Sequence, residues 1–347
     1  MKYRTLPHSD VTVSEVGFGL WTTSTGWWGE TSDDQAVALL REAYELGITT
    51  FDAADTYGNG RSEEQLAAAF ATMREKVVYA TKFGYDWEHH AGDRKGQNEI
   101  EQDFSPAAVR RSLEGSLRRL QTDYIDIWQM HNARLDQVRD GELQALLEQF
   151  RAEGKIRTWG IALGPAIGWL WEGIEAAQRN VPMVQMIWNL LESFPGNEMV
   201  AAANELHADT TYFIRVPHSS GMLEGKYTKD TVFPPTDHRS HRPRSWLING
   251  IQKVETLRFL EEPGRTLGQA AIQWLLAESR VMTVLPNIYD REQLREFAAA
   301  PDTPPLSGEE LARIEALRAT NFGVGPEENR YKGTMSPPPD AALPAHA

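Results

Sequence analysis

Along most of the chain, short apolar, β-branched or aromatic runs alternate with longer stretches whose apolar residues recur every three to four positions. The first run, "SEVGFGLW", ends near Trp21, and "SDDQ" then opens a helix in which Ser32 and Gln35 are spaced as a capping box. "ITTFDAAD" predicts the next strand, followed by a helix opened by "SEEQ", where Ser62 and Gln65 predict the same box. The strand "VVYATKFG" leads to "SPAAVRRSLEGSLRRL", with Ser105 as N-cap and Pro106 in the first turn. Five further strands follow: "DYIDIWQM", "IRTWGIAL", "PMVQMIW", "TYFIRV" and "VMTVLP". Helices are predicted near 136–152, 167–179 and 197–207, and from about Asp290.

Eight strands, each followed by at least one helix, imply parallel pairing and predict a closed (β/α)8 TIM barrel. An open doubly wound sheet is the alternative. It is disfavoured because "GFGLWT" carries two glycines and then Thr22, not a complete G-x-G-x-x-G. The opening "MKYRTLPHSDVTV" predicts an N-terminal β-hairpin, turning at "HSD", that caps the barrel bottom. An insertion rich in His, Arg and Pro, "PPTDHRSHRPRS", follows strand 7. "LSGEELARIEAL" predicts a C-terminal helix with Ser307 and Glu310 as its capping box. Residues 1–335 are expected to form one domain, and 336–347, "SPPPDAALPAHA", an unstructured tail.

Composition narrows the function classes. The chain has no long apolar run and no basic start ahead of an apolar segment, so neither a membrane span nor a secretory signal is expected. Having no cysteine excludes disulfides and thiolate chemistry. A formal net charge of −14 disfavours a nucleic-acid surface. The expectation is a soluble cytoplasmic protein with a small-molecule partner, its oligomeric state unread.

In a parallel barrel the C-terminal strand ends meet on one face, where the chemistry sits. Strand 2 delivers Asp52, Asp55 and Tyr57, strand 3 delivers Lys82, and strand 4 delivers His131 and Asn132. A phenol is a weak acid, and a neighbouring ammonium favours its anion, lowering a phenol pKa by roughly 1–3 units at close range. Asp52 paired to Lys82 would keep that lysine charged inside a pocket, Lys82 would poise Tyr57, and His131 could donate to a substrate oxygen. Singly, each has a plainer reading as turn, surface or packing residue. Together they suit proton transfer to a carbonyl oxygen.

"FDAADTYGNGRSEE", "ATKFG" and "YIDIWQMHN", in that order and spacing, resemble the aldo-keto reductases, a resemblance that continues through "GMLEGKY" to the last barrel strand. It implies that Asp52, Tyr57, Lys82 and His131 are the catalytic residues. It also implies reduction of an aldehyde or ketone by hydride from NADPH or NADH, with Tyr57 as proton donor. On the cofactor side, Gln185 matches a carboxamide contact, and Gly221, Leu223, Gly225 and Lys226 match a loop around the pyrophosphate. Asn287, Arg291, Gln293 and Glu296 match positions at the adenosine end. The chain departs from the family at Ala162 and Leu163, where Ser-Asn is usual, and at Arg215, where a tyrosine usually stacks on the nicotinamide. Asp290 would repel a 2′-phosphate if it faced one, yet family precedent favours NADPH.

Trp21, Trp27, Tyr85 and Trp87 are expected to line an apolar substrate pocket. Trp128 and Trp159 read as packing. His89–His90 and His238–His241 lack carboxylate or cysteine partners at ligand spacing, so no metal is expected. Arg239, Arg242 and Arg244 of the insertion could reach a cofactor phosphate. Two alternatives stand beside the reductase: an NAD-dependent sugar or secondary-alcohol dehydrogenase, and a nucleotide-binding regulatory barrel resembling the family's potassium-channel β-subunits.

Overall fold

The computed structural model describes residues 1–89, 100–164 and 169–325. The predicted tail, the domain boundary at 335 and His90 lie outside the described residues. The hairpin is formed by β1 (Tyr3–Thr5) and β2 (Thr12–Ser14), paired antiparallel. Eight strands follow: β3 (Phe18–Gly19), β4 (Thr50–Asp52), β5 (Val78–Phe83), β6 (Ile125–His131), β7 (Ile156–Ala162), β8 (Met183–Ile187), β9 (Thr211–Arg215) and β10 (Val281–Leu285). They pair in parallel in sequence order, as strand–helix alternation requires. The sheet closes just before β3, where Gly17 N donates to Val284 O and Val284 N to Glu15 O, both at 2.9 Å. The result is the (β/α)8 barrel.

The period of two along a strand separates two cores. One set of side chains, including Phe51, Tyr79 and Trp128, packs outward against the helices. The other set, Val78 and Ala80 of β5, Ile127 of β6, Met183 of β8 and Phe213 of β9, forms an inner cluster with Leu6, Val11 and Val13 of the hairpin. The hairpin therefore plugs the barrel bottom with apolar side chains. Continuing the same inward period reaches Lys82, Gln129, His131, Gln185 and Arg215. These four strands, β5, β6, β8 and β9, are thus apolar below and polar toward the C-terminal end, which is where a site belongs.

The capping boxes at Ser32/Gln35 and Ser307/Glu310 form, and Ser105 caps its helix by accepting from Ala108 N. The predicted box at Ser62/Gln65 does not. Gly60, at φ 91°, caps the helix Arg61–Phe70 instead. The Ser62 hydroxyl donates to Ala54 O at 2.8 Å and accepts from Ala54 N at 3.3 Å, fastening the turn that follows β4. Gln65 donates to Asp33 and accepts from Ser24. Tertiary partners took both side chains. The helix expected over 136–152 is two, Leu135–Arg139 and Gly141–Ala152, because Asp140 leaves the helical region and caps the second through Glu142 N and Leu143 N. Trp128 and Trp159 are buried in the packing, as read.

Arg4 fixes the hairpin to the barrel. Its guanidinium donates to the carbonyls of Leu276, Glu278 and Val281 at 2.6–3.2 Å and pairs with Glu15 at 2.8 Å. Replacing Arg4 with Met leaves part-buried carbonyls unpaired, and should lower stability by about 2 kcal/mol in urea titrations. A loss below about 0.5 kcal/mol would show that these bonds do not hold the plug.

Candidate active site

The parallel register brings four strand ends together. Lys82 of β5 donates from Nζ to Asp52 Oδ2 of β4 at 2.7 Å and to Ala53 O at 2.6 Å. The other carboxylate oxygen, Oδ1, accepts from Gln129 Nε2 of β6 at 3.0 Å and from Gln185 Nε2 of β8 at 2.9 Å. Gln185 also donates to Gln129 Oε1 at 3.1 Å. All four side chains are buried. Burial works against the lysine charge, but attraction to Asp52 and Tyr57 outweighs it and holds Lys82 above the ordinary lysine value. The register Lys82↔Gln129 makes this arrangement possible.

Tyr57, half-buried, presents its ring to that ammonium, with Nζ 4.7 Å from the ring centroid. His131, at the end of β6, meets the Tyr57 ring edge-on at 5.9 Å and the Tyr85 ring at 5.0 Å. Asn132 donates to Tyr85 Oη at 2.7 Å, and Gln102 donates to the carbonyls of His131 and Asn132, fixing this end of β6. Asp52, Tyr57, Lys82, His131 and Tyr85 therefore share one corner of the barrel mouth. Sequence reasoning passed over Gln129 and Gln102. Gln129 had a signal, since a glutamine between Trp128 and Met130 in a buried strand needs a buried partner.

On the opposite side of the mouth, Arg215 at the end of β9 reaches across β8. Its Nη2 donates to Leu163 O and to Gly164 O, the latter at 2.7 Å. Its Nε is buried without a partner, and no described carboxylate pairs with it. Burial pulls its pKa below the ordinary arginine value, opposed by attraction to Tyr57, Asp52 and Tyr85. The loop beyond it bends sharply: Ser219, Ser220 and Gly221 have successive φ of 48°, 58° and 90°. At Gly221 a Cβ would meet Tyr227 Oη at 2.3 Å, so only glycine fits there.

A model of the Aldo/keto reductase family matches residues 15–319. The chain belongs to the aldo/keto reductase family. It is 29% identical to the oxidoreductase YqkF of Bacillus subtilis (strain 168), over 91% of this chain and 96% of that one. It is also 29% identical to the NADH-specific methylglyoxal reductase of Escherichia coli (strain K12), over 86% and 93%. The crystal structure of an aldo-keto reductase from Klebsiella pneumoniae in complex with NADPH superposes with a TM-score of 0.65 at 26% identity, covering 91% of this chain and 95% of that one. This aldo/keto reductase is an NAD(P)H-dependent oxidoreductase. Among its described residues no helix is long and apolar enough to cross a membrane.

The loop after β9 fits a phosphate-bearing cofactor, because three consecutive residues in the left-handed region are a costly backbone that a bound group can use. Leu223 is buried in a 3-10 turn, Met222–Glu224, closed by Gly225 at φ 73°. Half-exposed Lys226 stands near Glu292 and Glu296, at 3.6 and 3.9 Å. Arg242 reaches Ser220 Oγ at 3.2 Å, Arg239 is clamped to Asp237 at 2.6 Å, and Arg244 is bound to the carbonyls of Thr231 and Lys229.

Beyond β10, Asn287 is half-buried and Asp290 caps the helix Arg291–Ala298 by accepting from Gln293 N at 2.8 Å. Gln293 donates to Glu224 at 3.0 Å, and Glu296 accepts from Thr266 at 2.7 Å. Arg291 pairs with Glu42 at 2.9 Å, a carboxylate it shares with Arg295. Asn189 serves a turn, accepting from Leu191 N and Glu192 N and donating to Val216 O.

Trp21 and Trp27 lie together, 6.2 Å apart, with Trp28 and the ring of His238 from the insertion packed against them. Trp87 is not brought to this group. It lies over the Arg119 guanidinium at 5.2 Å, because the chain turns after Tyr85 toward the helix Pro106–Leu120. His89 pairs with Asp86 at 2.5 Å.

Behind Tyr57, Asp55 is fully buried, approached by the Thr56 backbone and the Trp87 side chain. Burial first, and then the charge of Glu63, push its pKa well above the carboxylate range. Arg119 opposes this but is itself bonded to Glu63 at 2.7 Å. The native state thus holds a proton that the unfolded chain releases above the ordinary aspartate value, so Asp55 removes stability as pH rises from there. Asp55→Asn should flatten that loss, melting higher than wild type at neutral and alkaline pH and converging with it in acid. Parallel melting curves from pH 4 to 9 would contradict a neutral Asp55.

Proposed function

We propose that this aldo/keto reductase reduces an aldehyde or ketone to an alcohol, with Tyr57 donating the proton to the carbonyl oxygen. The observation that carries the reading is the buried Lys82–Asp52 pair set against the face of Tyr57, with His131 edge-on to the same ring. When bound, the nicotinamide supplies the hydride. Tyr57 gives its proton to the carbonyl oxygen, His131 orients that oxygen by a hydrogen bond, and the Lys82 ammonium stabilises the anion left on Tyr57. Asp52 keeps Lys82 charged, while Gln129 holds Asp52. In the oxidative direction Tyr57 takes the proton back.

For the cofactor, Gln185 and Arg215 would face the nicotinamide end, and the loop through Gly221, Leu223, Gly225 and Lys226 would hold the phosphates by the Gly221 amide and the Lys226 ammonium, while Leu223 N and Gly225 N donate within the loop and keep its shape. Gln293, Glu296 and Asn287 would line the adenosine end. NADPH is the proposed form. Arg291 and Arg295 share a single carboxylate, Glu42, which leaves positive charge near the end of β10 for a 2′-phosphate. The substrate would be an apolar or ring-bearing carbonyl compound, taken against Trp21, Trp27 and Tyr85. A relative that is a methylglyoxal reductase and another bound to NADPH support the reaction class.

Tyr57→Phe should cut turnover of a carbonyl substrate by about a hundredfold or more. Calorimetric titration should show wild type and variant binding NADPH alike, and both preferring it to NADH. Unchanged turnover would remove Tyr57 as the acid, and a preference for NADH would point instead to an NAD-dependent dehydrogenase.

A further inference from the structure

The mouth of the barrel carries an uncompensated charge. Lys82 and Asp52 cancel at 2.7 Å, and Glu63 is taken by Arg119. Among the described residues Arg215 meets only carbonyl oxygens, those of Leu163 and Gly164, and these dipoles offset part of a unit charge but not all of it. Its Nε remains buried without an acceptor. The guanidinium spans from the end of β9 to the end of β7, over Gln185 of β8, and its field reaches Tyr57, Asp52 and Tyr85. A positive charge offset only in part therefore lies in the chamber that holds Tyr57.

Hydride transfer confines the nicotinamide to the same chamber. If a carbonyl oxygen is bound by Tyr57 and His131, the hydride donor must stand about 3–3.5 Å from the carbonyl carbon. The reaction moves a hydride, one proton with two electrons, from the ring to that carbon, while Tyr57 supplies a second proton to the oxygen. The reduced ring is neutral and the oxidised ring is a cation. Beside an aromatic side chain the cationic ring would meet the negative face of a π system and be attracted. Beside Arg215 it meets a like charge in a partly desolvated site, where repulsion is poorly screened.

We infer that Arg215 is a redox-state selector: it weakens binding of the oxidised cofactor relative to the reduced one and so biases this enzyme toward carbonyl reduction. The inference rests on the hydride-transfer reading above. Its leverage comes from charge, not shape, which separates it from a purely structural role. Arg215→Gln keeps a donor for the Leu163 and Gly164 carbonyls and removes the charge. Arg215→Lys keeps the charge. Arg215→Met removes both and substitutes for the glutamine variant if that one does not fold.

The test is equilibrium binding of NADPH and NADP+, and of NADH and NAD+, to the full chain, read by calorimetry without substrate. Wild type should bind each reduced form more tightly than its oxidised partner. In Arg215→Gln the oxidised form should gain affinity by about tenfold relative to the reduced form, and Arg215→Lys should keep the wild-type ratio. A ratio unchanged in both Arg215→Gln and Arg215→Met, whatever their absolute affinities, would overturn the selector role while leaving the reductase reading intact. Failure of wild type to bind any of the four would overturn the reductase reading itself, and the selector with it.

Discussion

The ion pair between Lys82 and Asp52 is the constraint on which the site depends. Burying two charges costs more than their attraction returns unless the geometry is close and the remaining lone pairs and protons are satisfied. Here they are. Asp52 accepts from Lys82 on one oxygen and from Gln129 and Gln185 on the other, and Lys82 adds a bond to Ala53 O. These groups come from four strands, so the pair can be completed only when the barrel has formed. Removing one partner strands the other charge, at a cost of about 3–5 kcal/mol. The site and the fold are therefore stabilised by the same contacts.

The two sides of the mouth are built differently. The side with Lys82 and Asp52 stands on strand ends locked by hydrogen bonds, and Tyr57 is held by a turn that Ser62 fastens. The other side is made of loops that interlock. Thr22, after β3, donates to Ile288 O beyond β10 at 2.6 Å, and Trp28 stacks on Tyr289 at 5.8 Å. The insertion joins them through His238 N to Trp27 O and through the Arg239 guanidinium over Trp28. On the proposed function, the chemistry would sit on rigid elements and recognition on longer segments, a division that would let substrate range vary without disturbing Tyr57.

Much of this was legible in the sequence, for a physical reason. Strands inside a barrel are apolar, so Asp52, Lys82 and His131 stood out at their ends, and the strand–helix alternation fixed which ends would meet. What the chain hid were choices between competing partners. Ser62 and Gln65 have the spacing of a capping box, but Ala54, Asp33 and Ser24 claimed their side chains. Arg291 matched the adenosine end, but that it shares Glu42 of the helix Asp33–Glu45 with Arg295 shows only in the fold. Trp87, two residues beyond Tyr85, lies against Arg119, a partner that its sequence neighbours do not reveal. Gln129 went unremarked because its partner lies on another strand, reached only through the β5–β6 register. Arg215 was visible as a departure from the family, whereas its lack of a counter-ion among the described residues is a property of the assembled mouth alone.

The most direct test of the central claim is the ionisation of Lys82 itself, followed by 15N NMR of the labelled Nζ in wild type and Asp52→Asn. The account predicts an ammonium that persists beyond the ordinary lysine value of about 10.4 in wild type and titrates at lower pH once Asp52 is neutral. A wild-type Lys82 that is already an amine near neutral pH, or a titration indifferent to Asp52, would contradict it.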